Sequence, residues 1–158
     1  MFIYAIEGAP ATPYATHATP NTEDPTVVIR GGARGFSLQA VYVHGRGASL
    51  TALTGIGYRV RRWTTAGTGG TAITPNPRSI GTTAVSTAAD KVTAITAGTV
   101  SGAYQLAIGC GAAGPGGWVA PNQDSCIQVE GGSSDELDIN SVAGVASMLH
   151  HCHCEIIE

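Results

Sequence analysis

Short stretches in which apolar and polar residues alternate, each ended by turn-forming residues, constrain the fold of this chain most strongly. Residues 36–44 alternate in this way, and so do Ile56, Tyr58 and Val60 with their neighbours. A period of two residues is typical of a β-strand with one buried face. The Ala-rich segment 84–89 is too short for a stable helix and is expected to hold at most one short helix or a turn. The pattern predicts an all-β protein.

The remaining strands are expected at the N-terminus, at the C-terminus and at six β-branched or aromatic runs bounded by Gly, Pro, Asn or Ser. These runs are 26–30, 92–96, 104–108, 118–120, 126–130 and 137–142. Their spacing predicts an antiparallel sandwich or barrel. The side chains expected on the buried face of the strand at 36–44, which should end in a turn at 45–47, are Phe36, Leu38, Ala40 and Tyr42.

Length and composition favour one folded domain spanning residues 1–158. Only 12% of the residues are charged, whereas 43% are apolar and the net charge is -3. A surface so poor in charge favours association, so we expect a permanent partner. The single lysine, Lys91, argues against nucleic-acid binding, which needs many cationic contacts to phosphate.

Two segments rich in proline, glycine and threonine, 9–25 and 64–87, are expected to be extended loops or arms that reach a neighbour. The N-terminal residues 1–7 lack a basic region and are apolar for only six residues. They predict a first strand, and neither a signal peptide nor a membrane span.

The four cysteines are expected to be free thiols, because the chain shows no secretion signal. Cys152 and Cys154 share one face of the last strand with Ile156 and are interpreted as small core residues. Cys110 lies in a glycine pattern at 109–114 that matches a dinucleotide-binding motif in spacing alone. The Pro-Gly-Gly-Trp run at 115–118 forbids the regular helix that such a motif requires, so a wide turn is expected there and no cofactor.

The C-terminal His/Cys cluster has residue types that bind transition metals, but neither face of a strand offers four convergent ligands. No metal site is therefore predicted within one chain. One alternative is left open: His151 and His153 of several symmetry-related copies bind one metal ion at an oligomer axis. The acidic residues of 130–138 have the oxygen ligands that calcium prefers. A solvated hairpin loop is the favoured interpretation of this segment.

The densest basic and aromatic patch is Arg59, Arg61 and Trp63, with Arg62 beside it. Arginine and tryptophan are enriched at protein interfaces, so the outward face of this strand is expected to meet water or a partner. No nucleophile elbow or other local catalytic signature is present in the sequence. A protein without enzymatic activity is therefore expected.

The order of features resembles a known family. A Thr/Gly loop at 64–74 follows Trp63 and runs into Pro-Asn-Pro-Arg at 75–78; Gly-Gly-Trp-Val-Ala-Pro at 116–121 follows, and the last strand ends at 155–158. In these features the chain resembles jelly-roll decoration (cement) proteins of tailed-bacteriophage capsids. The expected fold is a single-domain jelly-roll-like antiparallel sandwich with long loops.

The resemblance implies a homotrimer or another oligomer, made in the host cytoplasm and bound to the outer capsid surface of the virion, where it clamps neighbouring major capsid protein subunits. It implies no catalysis and no cofactor. The alternative is a carbohydrate- or receptor-binding domain of a phage tail or fibre, in which Tyr58, Trp63 or Trp118 stacks on a sugar. A metal-dependent β-barrel enzyme using His150, His151 or His153 is a third and weaker hypothesis.

Overall fold

The structure is a computed structural model that describes residues 1–8, 25–47, 56–79, 81–96, 98–101, 105–110, 115–143 and 148–158. Within these residues the regular structure is β-strands and one 3₁₀ turn at Gln123–Ser125. The strands are β1 (Ile3–Gly8), β2 (Pro25–Arg30), β3 (Gly35–Gly47), β4 (Ile56–Trp63), β5 (Thr68–Ile73), β6 (Asn76–Pro77), β7 (Thr87–Thr96), β8 (Leu106–Cys110), β9 (Gly116–Val119), β10 (Ile127–Glu130), β11 (Glu136–Ala143) and β12 (Met148–Ile157). None of the described segments is a helix long and apolar enough to cross a membrane.

The strands form two antiparallel sheets that pack face to face. Sheet A has the order β10-β3-β12-β1-β6, with β9 also paired to β3, and sheet B has the order β5-β7-β2-β11-β4-β8. The pairs are nested, because β1 pairs with β12, β2 with β11, β3 with β10 and β9, and β4 with β8. Nested pairs that alternate between two sheets produce the jelly-roll arrangement. The predicted all-β, jelly-roll-like sandwich is confirmed.

The core lies between the sheets and consists of the inward-facing half of each strand. Its largest fully buried members include Tyr4, Ile6, Ile29, Leu38, Tyr58, Leu137, Ile139 and Ile156. In β2 and in the first part of β11 the residues on both strand faces are buried. Sheet B is therefore covered on its outer side as well, which strict alternation does not predict.

A β-bulge changes which residues of β3 face the core. The register between β3 and β12 shifts between Glu155 and Ile156, which leaves Gln39 as the extra residue. Past the bulge Val41 is buried and Tyr42 is 43% exposed. The prediction that Tyr42 lies on the core face is wrong, because one inserted residue reverses the alternation.

The predicted loops are only partly loops. Residues 64–87 contain β5 and β6, so this segment adds strands to both sheets. Residues 87–89 belong to β7, and β3 continues through the predicted turn at 45–47. Residues 9–24 lie outside the described part of the chain, and their prediction as an arm is not tested.

Candidate interaction surface

The outer face of sheet B is covered by the chain segments that flank β5 and β7. The buried cluster on that face consists of Val28, Trp63 and Ile95, with Val100 packed against it. Gly67 lies so close to the Trp63 ring that a Cβ there would be 2.2 Å from Cζ3. The backbone N–H of Thr64 donates to the carbonyl of Thr99 at 2.8 Å, which joins the two covering segments.

Two acidic side chains of β11 are buried beneath this cover. Asp138 is fully buried, and its two carboxylate oxygens accept hydrogen bonds from Arg61 Nε at 3.1 Å each and from Nη2. Glu136 accepts from Arg30 Nε at 2.9 Å and from the Gly67 backbone N–H at 3.1 Å. Burial raises the pKa of the Asp138 carboxyl, against the opposing effect of the Arg61 hydrogen bond and charge.

The prediction of a solvated acidic hairpin loop is therefore wrong for Glu136 and Asp138. It failed because β10 and β11 do not form a hairpin; they belong to different sheets, and β11 crosses the middle of sheet B. Glu130 remains exposed, and the half-buried Asp135 pairs with Arg62 at 3.3 Å.

The three residues expected to contact a partner lie on the covered side of β4. Trp63 is 0% exposed and Arg61 is 7% exposed, while Arg59 is half-buried and interacts within the chain. The expectation that this face meets water fails because the segments around Gly67 and Thr99 pack over it. A partner contact through these residues stays a prediction, and one made by Arg61 or Trp63 requires the cover to open.

The outer face of sheet A, called the open face below, presents polar and aromatic side chains to solvent. Its outward side chains are Glu7 of β1, Tyr42 and His44 of β3, Val119 of β9, and His151, His153 and Glu155 of β12. Val119 is 51% exposed and Tyr42 43%. The two outer faces of the sandwich therefore differ, because sheet B carries a cover and the described part of sheet A leaves large side chains accessible.

An aromatic pair marks the centre of the open face. The rings of Tyr42 and His153, neighbours across β3 and β12, have centroids 5.9 Å apart and planes inclined at 46°. On the other side of Tyr42, the backbone of Gly117 lies so close that a Cβ there would be 2.9 Å from Tyr42 Cδ1. Glycine at 117 thus allows the Tyr42 ring to lie along β9.

A cluster of ionisable side chains lies beside this pair. The Glu7 carboxylate contacts His151 Nε2 through Oε2 at 3.0 Å, and its Oε1 contacts His153 Nδ1. The other ring nitrogen of His153 is 3.6 Å from Glu155, whose carboxylate pairs with Arg78. Sequence reasoning missed Glu7, which is 146 residues from His153. Only the pairing of the first strand with the last brings them together.

A groove of about 390 Å³ lies where β3 begins and where β10 and β12 end. Residues that line the groove include Met1, Arg34, Ser37, Gln128, Glu130 and Ile157. Charges of both signs and apolar atoms meet there, next to the exposed Met1 and Phe2. The groove enlarges the surface on which a partner could contact sheet A.

The cysteines on the opposite face of β12 are core residues, as predicted. Cys152 and Cys154 are fully buried, their Sγ atoms are 3.5 Å apart, and neither forms a disulfide. The hydrogen bond between the Cys154 and Cys152 thiols, together with burial, raises the pKa of the Cys154 thiol well above its ordinary value. Cys126 is also buried and free, and burial raises its pKa. The side chain of Cys110 lies outside the described residues.

The thiols of Cys152 and Cys154 should resist alkylation in the native protein, because only an accessible thiolate reacts. We expect iodoacetamide at mildly alkaline pH to leave Cys152 and Cys154 unmodified until urea unfolds the chain, as read by peptide mass spectrometry. A Val119→Cys variant, at a 51% exposed position, is the matched control and should be alkylated in the native state. Rapid alkylation of Cys154 in the native protein would show that the inner face of β12 is not buried as described.

Comparisons with models of known protein families, with curated proteins and with solved structures found no match. The class that the fold defines is a two-sheet antiparallel β-sandwich with jelly-roll pairing. The function is therefore inferred from the chemistry of the protein surface and not from a related protein.

Proposed function

We propose that this chain is a structural decoration (cement) protein of a tailed-bacteriophage capsid, without enzymatic activity. It binds the outer capsid surface of the virion and stabilises contacts between major capsid protein subunits. The observation that carries the proposal is the difference between the two outer faces. The chain covers sheet B with its own segments, whereas the described open face exposes Tyr42 and Val119.

The low charge of the chain supports a function based on adhesion. With 12% charged residues, little like-charge repulsion opposes the contact of one copy with another or with a shell. On the open face the described acids Glu7 and Glu155 already contact histidine or arginine side chains. A partner covering this face would therefore bury Glu155 together with its arginine partner, and Glu7 together with the imidazoles that it contacts.

We propose symmetric assembly as part of the same function. Self-association as a homotrimer would present several open faces together, and multivalent contact raises avidity without a stronger individual contact. A decoration protein of this kind tolerates modest affinity at each site, because several subunits bind the shell at once.

Reconstitution tests this proposal. Purified protein is added to capsids of the encoding phage that lack it, and bound protein is measured by sedimentation. Val119→Arg, which places a charge on the open face, should abolish binding. Val85→Arg is the matched control, because Val85 is an exposed valine at 37% that lies before β7, outside the open face. The proposal fails if the wild-type chain is a monomer without capsid affinity, or if both variants bind equally well.

The second candidate is a carbohydrate- or receptor-binding domain of a phage tail or fibre. Of the aromatic residues expected to stack on a sugar, Trp63 and Tyr58 are buried and Trp118 is half-buried. The exposed ring of Tyr42, beside His153, is the observation that keeps this candidate. A glycan-array signal that disappears in Tyr42→Ala would favour it over the capsid proposal.

A further inference from the structure

The Glu7 carboxylate connects two histidines that come from one strand. His151 and His153 are two residues apart on β12, so both project from the open face, and Glu7 projects beside them from the paired strand β1. Each imidazole contacts a different oxygen of this one carboxylate, His151 Nε2 at 3.0 Å and His153 Nδ1 more closely. Three ligand-type side chains on two neighbouring strands thus meet at one point of the surface.

These residue types are those of a transition-metal site. Neutral imidazole and carboxylate are ligands of Zn²⁺ and related divalent ions, and two ligands around a tetrahedral ion lie about 3.3 Å apart. The Glu7–His151 separation of 3.0 Å is already close to that distance. The thiols of Cys152 and Cys154 project into the core on the other face of β12 and cannot contribute. The candidate ligand set is therefore two histidines and one carboxylate.

A second carboxylate lies near His153. Its Nε2 is 3.6 Å from Glu155, which is longer than a hydrogen bond, while Nδ1 faces Glu7, and Glu155 is itself paired with Arg78. A carboxylate that hydrogen-bonds to the second ring nitrogen orients an imidazole and raises its basicity as a ligand, and a small shift of Glu155 would place it there. His153 is also the least exposed of the three, at 19%, against 43% for His151 and 44% for Glu7.

We propose that Glu7, His151 and His153 form a binding site on the open face for a divalent transition-metal ion such as Zn²⁺. As the side chains stand, no three described His, Cys, Asp or Glu groups are arranged to hold an ion. The carboxylate instead bridges the two imidazoles, and binding requires its rotation toward solvent. Such rotation is feasible because 44% of the Glu7 side chain is exposed. Water completes the coordination, which leaves a position for a ligand from a partner.

This inference concerns a single chain and is independent of the capsid proposal. It differs from metal capture at an oligomer axis, because all three ligands come from one copy. The site would join β1 to β12, the pair that closes the middle of sheet A. An ion bound only by the folded state stabilises that state in proportion to its concentration above Kd.

Calorimetric titration of the tag-free chain with Zn²⁺, and Co²⁺ absorption spectroscopy, test the site. We expect about one ion per chain and a d–d spectrum typical of four- or five-coordinate Co²⁺. Glu7→Gln should weaken binding roughly 100-fold or more, since a ligand is lost and not merely its support. Glu130→Gln is the matched control, because Glu130 is an exposed acid of sheet A outside the cluster, and it should bind as the wild type does.

The Glu7 variant also separates the folded site from the local His/Cys sequence. A peptide of residues 148–158 with Cys152 and Cys154 replaced by serine contains both histidines but neither Glu7 nor the thiols that are buried in the folded chain. If Glu7→Gln binds Zn²⁺ as tightly as the wild type, or the peptide alone matches the whole chain, the proposal is overturned. Circular dichroism of Glu7→Gln checks that it folds, and His151→Gln supplies a second variant that should also lose binding.

Discussion

Replacing Asp138 with alanine should lower the free energy of unfolding by about 3–5 kcal/mol. The substitution leaves the Arg61 guanidinium, 7% exposed, without the carboxylate that accepts its hydrogen bonds. An unpaired charge in that position keeps its desolvation penalty and loses its compensating attraction. Urea unfolding followed by far-UV circular dichroism measures the change.

A double variant distinguishes the effect on stability of removing both charges from the effect of removing only one. Arg61→Met combined with Asp138→Leu fills a similar volume without charge, and we expect its stability to come within about 2 kcal/mol of the wild type or to exceed it. The exposed pair of Arg78 and Glu155 is the control, since Arg78→Gln should change stability by less than about 1 kcal/mol. A loss below about 1 kcal/mol in Asp138→Ala would show that the Asp138 site is solvated.

Replacing Trp63 with alanine should also destabilise the chain by about 3–5 kcal/mol. The indole is 0% exposed and packs with Val28 and Ile95 beneath the cover of sheet B. Truncation removes most of the apolar surface that holds the cover, and it leaves a cavity next to Gly67. Unfolding is again followed by circular dichroism, because the variant retains only one tryptophan, Trp118, as a fluorescence probe.

This prediction discriminates between the two interpretations of Trp63. If Trp63 were exposed and served only a partner contact, its truncation would lower the stability of the protein by no more than about 0.5 kcal/mol. Tyr42→Ala, at a position 43% exposed on the open face, is the matched aromatic control and should lose only about 1 kcal/mol, from its cross-strand contact with His153. Equal losses in Trp63→Ala and Tyr42→Ala would contradict the assignment of one face as covered and the other as open.

Local sequence patterns predicted where most strands lie. The runs at 26–30, 126–130 and 137–142 correspond to β2, β10 and β11 within one or two residues at each end. These positions were accessible to sequence reasoning because β-branched and aromatic residues pack well on a pleated surface, while glycine and proline end the ladder. The alternation of residues along β4 and β12 also predicted the burial of Tyr58, Val60, Cys152 and Cys154.

Outward positions were harder to predict than inward ones. The alternation placed Trp63 on the outward face of β4 but could not show that this face is covered. It placed Tyr42 on the core face of β3, because it could not show the bulge. Their burial depends on Gly67 approaching the Trp63 ring and on the bulge at Gln39. Both features arise from contacts between segments that are distant in the chain.

The sequence by itself determined the class of this protein: a charge-poor, all-β domain with free, buried thiols on its last strand. Only the tertiary structure decided what its charged side chains do. It buried Arg61 against Asp138, and it brought Glu7 to His151 and His153. Strand formation depends on neighbours within a few residues, whereas these contacts depend on sheet order. That order results from the nested pairing of strands that lie far apart in the chain.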